Sequence, residues 1–184
     1  MATNNFISIF DNKLTLKHKF QNLEFLLYAS AVFMFPLLLG HVNTLPNQLI
    51  VGTFVNAFLV LGALYFGTKK LLPLIILPSI AALLTGFIFG PLSFYLLYLM
   101  PFIWVANAIF IYAIKRLKLN MQKNYFVSLI TASFAKAIFL FSVTLALFYF
   151  SLVPEVFLTA MGLLQFTTAI LGGCIASFVY FVRR

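Results

Sequence analysis

The chain has 184 residues, 64% of them hydrophobic and only 8% charged, with a formal net charge of +9. A soluble domain is about half apolar and about a quarter charged, so this composition leaves too little polar surface to cover a water-soluble core, and lipid is the solvent it fits. The positive balance does not mark a nucleic-acid reader, because the basic residues fall in short clusters between apolar runs and no soluble face remains for a groove-binding patch.

Along the chain, residues 1–22 are polar and mixed, with Lys13, Lys17 and Lys19 among them. No short hydrophobic region with a small-residue cleavage site precedes the first apolar run, so that run is expected to be retained rather than removed as a signal peptide. A helix needs about 17 to 25 apolar residues to cross about 30 Å of hydrocarbon. Six runs meet this, at 23–40, 48–66, 71–89, 92–114, 125–150 and 154–182. Only Gly90 and Pro91 divide the third from the fourth, which reads as a tight helical hairpin. The expected architecture is all-α: a polytopic membrane helix bundle of about six transmembrane helices, forming a single domain over 1–184.

Orientation follows from Lys and Arg. Lys69 and Lys70, then Lys115, Arg116, Lys118 and Lys123, then Arg183 and Arg184 all fall on the side of the N-terminal cluster, whereas 41–47, 90–91 and 151–153 hold no Lys or Arg. Positive loops face the cytoplasm and its anionic lipid surface, so N-in and C-in termini in the cytoplasmic membrane are expected.

Within the spans, Pro36, Pro78 and Pro101 are expected to kink their helices. Pro154 suits the first turn of the last span, and Glu155 beside it suits the positive helix terminus. Small residues four apart, Ala82, Gly86 and Gly90, and Ala169 with Gly173, permit close backbone approach. These stripes serve packing within the chain or an interface with a partner subunit, the latter assigned to Ala82, Gly86 and Gly90 in the first place.

Catalytic chemistry has little to work with. The three carboxylates, Asp11, Glu24 and Glu155, share no span, so general acid–base and di-metal schemes lack their pairs. His18 and His41 fall on opposite sides of the membrane, which leaves no His-based metal site. No phosphate-binding Gly-rich loop is present, so the chain is not expected to hydrolyse ATP. Cys174 is the only cysteine, and no intrachain disulfide can form. No enzyme activity, no cofactor and no metal are expected.

Lys136 stands out, near the middle of the fifth span. An ammonium at that depth usually faces a polar interior or a substrate. It lies about eleven residues, near 16 Å, from the positive end of its helix, a poor distance for snorkelling to the headgroups. Asn56, Asn107 and Gln165 fall near the same depth on three other helices, and Gln48 lies two turns from Asn56 on one face. Each amide alone reads as an interhelical hydrogen bond. Together with Lys136 they read as the lining of a small polar cavity that binds substrate. The loop His41-Val-Asn-Thr-Leu-Pro-Asn47 is placed to cap that cavity or is a plain turn. Trp104, Tyr95 and Tyr98 offer rings to a planar ligand, and for the tyrosines, Tyr95 above all, the alternative is an anchor at the membrane interface.

The size, the six spans, and the segments Leu45-Pro-Asn-Gln-Leu-Ile-Val-Gly-Thr-Phe-Val-Asn56, Leu77-Pro-Ser-Ile-Ala-Ala-Leu-Leu-Thr-Gly86 and Pro101-Phe-Ile-Trp-Val-Ala-Asn107 carry a resemblance. The chain resembles the substrate-binding S components of energy-coupling-factor transporters, and small bacterial membrane proteins labelled by association with iron hydrogenases. The resemblance implies a small-molecule solute, such as a vitamin-like metabolite, bound in an outward cavity. It also implies partners on other chains: a membrane coupling subunit and two ATPases. The Ala-x-x-x-Ala docking signature of those first helices is absent, since Ala29 and Ala31 stand two apart. Two further readings compete: a structural scaffold resembling rod-shape determining proteins, and a membrane subunit beside a redox complex.

Overall fold

The computed structural model describes residues 21–38, 47–86 and 88–183. Among them there is no strand, and six helical segments are long and apolar enough to cross a membrane. We label the α-helices α1 (Gln21–Leu38), α2 (Asn47–Tyr65), α3 (Leu72–Thr85), α4 (Leu96–Ile114), α5 (Tyr125–Tyr149), α6 (Val156–Met161) and α7 (Leu163–Val182). The helices turn large apolar side chains outward: Leu84, Phe178 and Phe150 are each more than 70% exposed. An exterior of this kind is compatible with a multi-pass protein in lipid.

The connections cluster the charges. Residues 67–71, the π-helical turn Lys115–Asn120 and Arg183 lie at one end of the bundle, hereafter the basic end. There Arg183 pairs with Glu24 and ties α7 to α1, while Lys70 donates to Asn22. Asn124 caps α5 by accepting from the Phe126 amide at 2.9 Å.

The packing centre is α7, which fits between α2 and α5 on two adjacent glycines. A Cβ on Gly172 would lie 2.5 Å from the Thr53 carbonyl and 2.6 Å from the Ala57 amide. A Cβ on Gly173 would overlap the Leu129 side chain. Absence of side chains there lets α7 touch the α2 backbone, the way helices gain contact where lipid supplies no hydrophobic force between them. Ala169 is fully buried on α7, so this small-residue stripe serves packing within the chain. Tyr125 reinforces the α5–α7 contact, donating to the Gly173 carbonyl at 2.6 Å. On the other flank α1 lays Tyr28 edge-on against Phe58 and stacks Phe35 on Phe54, both of α2.

Two spans differ from their sequence reading. The third does not continue as α-helix to residue 89: Gly86 adopts φ +65°, a left-handed terminus whose amide bonds back to the Ala82 carbonyl. A 3-10 turn, Gly90–Tyr95, then leads into α4, and Ser93 donates to the Gly86 carbonyl at 3.0 Å. The tight hairpin expected at Gly90-Pro91 is therefore a longer folded connection. The sixth span is broken at Gly162 (φ −95°, ψ −92°) into α6 and α7. Pro154 precedes α6 rather than lying in its first turn, while Glu155 stands at the N-cap, at the helix terminus expected for it.

Candidate functional site

Lys136 is carried to the middle of the bundle by α5, on a face where Ser133, Lys136, Ala137 and Leu140 are all buried. Its residue exposure is 2%. Nζ donates to Asn56 Oδ1 at 2.7 Å and stands 5.2 Å from the centre of the Phe110 ring. The phenyl face attracts the cation without accepting a hydrogen bond. Asn56 is fixed in turn, its Nδ2 donating to the Gly52 carbonyl at 2.9 Å and to Thr168 Oγ1 at 3.1 Å. Thr168 passes its proton to the Gln165 carbonyl at 3.2 Å. Lys136, Asn56 and Thr168 thus join α5, α2 and α7 through one polar chain.

Lys136 and Asn56 of that chain line a cavity of about 80 Å³. Gln48, Asn56, Asn107, Lys136 and Gln165, the five binding candidates read from the sequence, all line it. They differ in what they do. Gln48 Nε2 donates to the Ala160 carbonyl at 2.8 Å, where the break at Gly162 turns the backbone toward α2. Asn107 Nδ2 donates to the Ile75 carbonyl at 3.2 Å and so ties α4 to α3. The Gln165 amide makes no hydrogen bond among the described residues. The remaining wall is mostly apolar, with Val51, Val55, Leu96, Ile103 and Met161, and includes the Ser79 hydroxyl.

Electrostatically the cavity is one-sided. No Asp or Glu among the described residues lines it. Of the two carboxylates among the described residues, Glu24 pairs with Arg183 at the basic end and Glu155 is exposed at the opposite end. A protonated lysine has three donors, and the described residues engage one. Lys136 therefore presents a buried amine, with no carboxylate beside it among the described residues, to a small space edged by amide groups.

The small-residue stripe proposed for a partner lies differently from a free helix face. Ala82 is 7% exposed and lines the cavity, and Gly86 and Gly90 hold the left-handed backbone of the α3–α4 connection. Of the aromatic candidates, Trp104 faces α3 and donates from Nε1 to Ser79 Oγ at 2.7 Å. Tyr95 packs against Phe157, and Tyr98 is exposed beside Phe94. None of the three lines the cavity. His41 and the rest of its proposed cap, up to residue 46, lie outside the described residues, as do His18 and Asp11.

Phe110 and Thr168 were missed by the sequence reading, although each stands three residues from a chosen amide (Asn107 and Gln165) and so shares its helix face. Gly52 was missed as well; its carbonyl orients Asn56, and a Cβ there would approach Thr168 to 3.0 Å. Among the described residues no group of three or more His, Cys, Asp or Glu side chains is placed to hold a metal ion. No protein-family model, no curated protein and no solved structure shows significant similarity to this chain.

Proposed function

We propose that the chain is a multi-pass protein of the cytoplasmic membrane, with both termini inside, that binds a small anionic solute in the cavity around Lys136. Its role is that of a substrate-binding subunit for uptake, with coupling and ATP hydrolysis supplied by other chains. The observation that carries this reading is the buried Lys136 side chain, held by one neutral acceptor and with no carboxylate beside it among the described residues. Burying a cation in this way is costly, and a carboxylate in the cavity would offset that cost by taking the two unused donors. The Gln165 amide is available to orient it.

The size of the cavity adds a condition. At about 80 Å³ it holds the charged head of a solute but not a whole vitamin, since binding pockets for such molecules run from about 300 Å³ upward. Larger solutes then require the α6 turn to swing away from α2, breaking the Gln48–Ala160 hydrogen bond. Entry is from the end of the bundle opposite the basic one, where Gln48 and Met161 form the rim.

The detergent-purified protein is titrated with benzoate and nicotinate, and in parallel with benzamide and nicotinamide, while its unfolding temperature is followed. Stabilisation by the acids alone, absent in Lys136→Met, supports the proposal. Equal responses to acid and amide, or none to either, overturn it.

A scaffold role is the second reading, favoured by the Gln48 and Asn107 hydrogen bonds, which lock helices together with no ligand. On that reading the same titrations are silent, and the protein co-purifies with cell-wall machinery.

A further inference from the structure

A second concave site lies at the basic end, on the outer side of α3 and α4. It is a groove of about 420 Å³, separate from the Lys136 cavity and sharing no residue with it. Its inner walls are Ile75 of α3 and Ile111 of α4, and its mouth holds Lys115 and Arg116. We propose that this groove binds an anionic phospholipid, with the phosphate at Lys115 and Arg116 and an acyl chain along the apolar walls.

Charge complementarity supports that occupant. Neither Lys115 nor Arg116 pairs with a carboxylate among the described residues: Glu24 is taken by Arg183, and Glu155 is at the other end. Lys115 is positioned by the backbone, its Nζ donating to the Phe66 carbonyl at 2.6 Å at the end of α2. This hydrogen bond uses one of three donors and anchors the ammonium beside the groove. Arg116 is exposed, and its side chain hydrogen-bonds only the Tyr112 hydroxyl, at 3.4 Å, among the described residues. Its planar fork is left to receive phosphate oxygens in a bidentate manner. The Thr68 hydroxyl and the Asn120 amide, both at the mouth, make no side-chain hydrogen bond among the described residues.

The vertical order of the groups matches a lipid. Cations and hydrogen-bonding groups stand where the helices end, and the apolar walls run inward from them, one to two turns deeper for Ile111 and Ile75. A free inorganic anion would use the mouth alone and leave the walls uncovered. A basic pocket between helices at the membrane surface is a recognised setting for anionic headgroups. This inference depends on the chain lying in a membrane, but not on the solute site or on which end faces the cytoplasm.

The test is native mass spectrometry of the full chain released from micelles containing equal amounts of dioleoyl phosphatidylglycerol and dioleoyl phosphatidylcholine. The variants are Arg116→Gln, Lys115→Gln/Arg116→Gln and, as a charge-matched control, Lys118→Gln/Lys123→Gln. Each cation near an anionic headgroup contributes about fivefold in affinity, so the first double variant should lose about thirtyfold in phosphatidylglycerol retention. The control should stay near the wild type. Arg116 is exposed, so its single variant folds, and its expected loss of about fivefold keeps the proposal exposed to failure even if the double variant is unstable. No preference for phosphatidylglycerol, or an equal loss in the control, overturns the assignment. Displacement of the lipid by millimolar inorganic phosphate would identify a free-anion site instead. Binding of an acidic peptide such as oligoglutamate, lost in the same variants while phosphatidylglycerol is not retained, would assign the groove to a protein partner.

Discussion

Lys136 Nζ and Asn56 Oδ1 meet at 2.7 Å across the α5–α2 interface, and this contact sets the chemistry of the bundle's interior. A neutral amide oxygen accepts from the ammonium without cancelling its charge. The Gly52 carbonyl and Thr168 hold the amide in the orientation that turns its oxygen toward the cation. The pair therefore positions the lysine nitrogen without supplying it a counter-ion.

Replacement of Lys136 by Met is expected to leave the protein folded while removing its affinity for carboxylates. Exchanging a buried charge for an apolar side chain of similar volume is often neutral or stabilising, by about 1–4 kcal/mol. The orphaned Asn56 oxygen costs about 1–3 kcal/mol in return. Thermal unfolding in detergent should thus shift little in either direction, and a collapse of the fold would show that the lysine is a structural strut.

Gly172 should not tolerate a methyl group. Ala at this position drives its Cβ into the Thr53 carbonyl and Ala57 amide of α2, backbone atoms that cannot turn aside. Overpacking of this type costs about 1–3 kcal/mol, and the α2–α7 contact must spread. Gly67→Ala is the control, because nothing lies within 4 Å of its added Cβ. Denaturation midpoints should fall for the first and hold for the second.

Much of this was legible in the sequence because lipid imposes a simple rule: long apolar runs separated by polar turns. The length of each run located the helices, and the mid-depth polar residues pointed into the bundle because they cannot face hydrocarbon. What was not legible depended on single backbone states. Gly162 looks like any glycine in an apolar run, yet its ψ of −92° splits the last span and delivers the Ala160 carbonyl to Gln48. Gly86 ends α3 early for a similar reason, through φ +65°. Partnerships were equally hidden. Trp104 was as suited to a ligand as to Ser79, and only the placement of α3 beside α4 decides between them.

Gln48→Leu should weaken the seam between α2 and α6. It leaves the Ala160 carbonyl without its side-chain donor, a loss of about 1–3 kcal/mol if the site stays dry. On the account of solute entry it should also open the rim, so bound carboxylate leaves faster. Stopped-flow release of a fluorescent carboxylate, compared with wild type, checks this; an unchanged rate would separate the rim from gating.

Topology is testable by cysteine labelling in intact cells. Cys174 is the sole cysteine and is exposed on the outside of α7, so Cys174→Ser supplies a clean background. A membrane-impermeant maleimide is expected to label Ser151→Cys, in the loop after α5, and to reach Lys123→Cys only after the cells are broken. The reverse pattern would invert the orientation.

The central claim is most directly tested by native mass spectrometry of the gently released protein, scanned for small-molecule adducts. The account expects one stoichiometric anionic metabolite, present in wild type and missing in a folded Lys136→Met variant. A protein that carries no adduct and gains no stability from any carboxylate, or an adduct that survives the loss of Lys136, would contradict it.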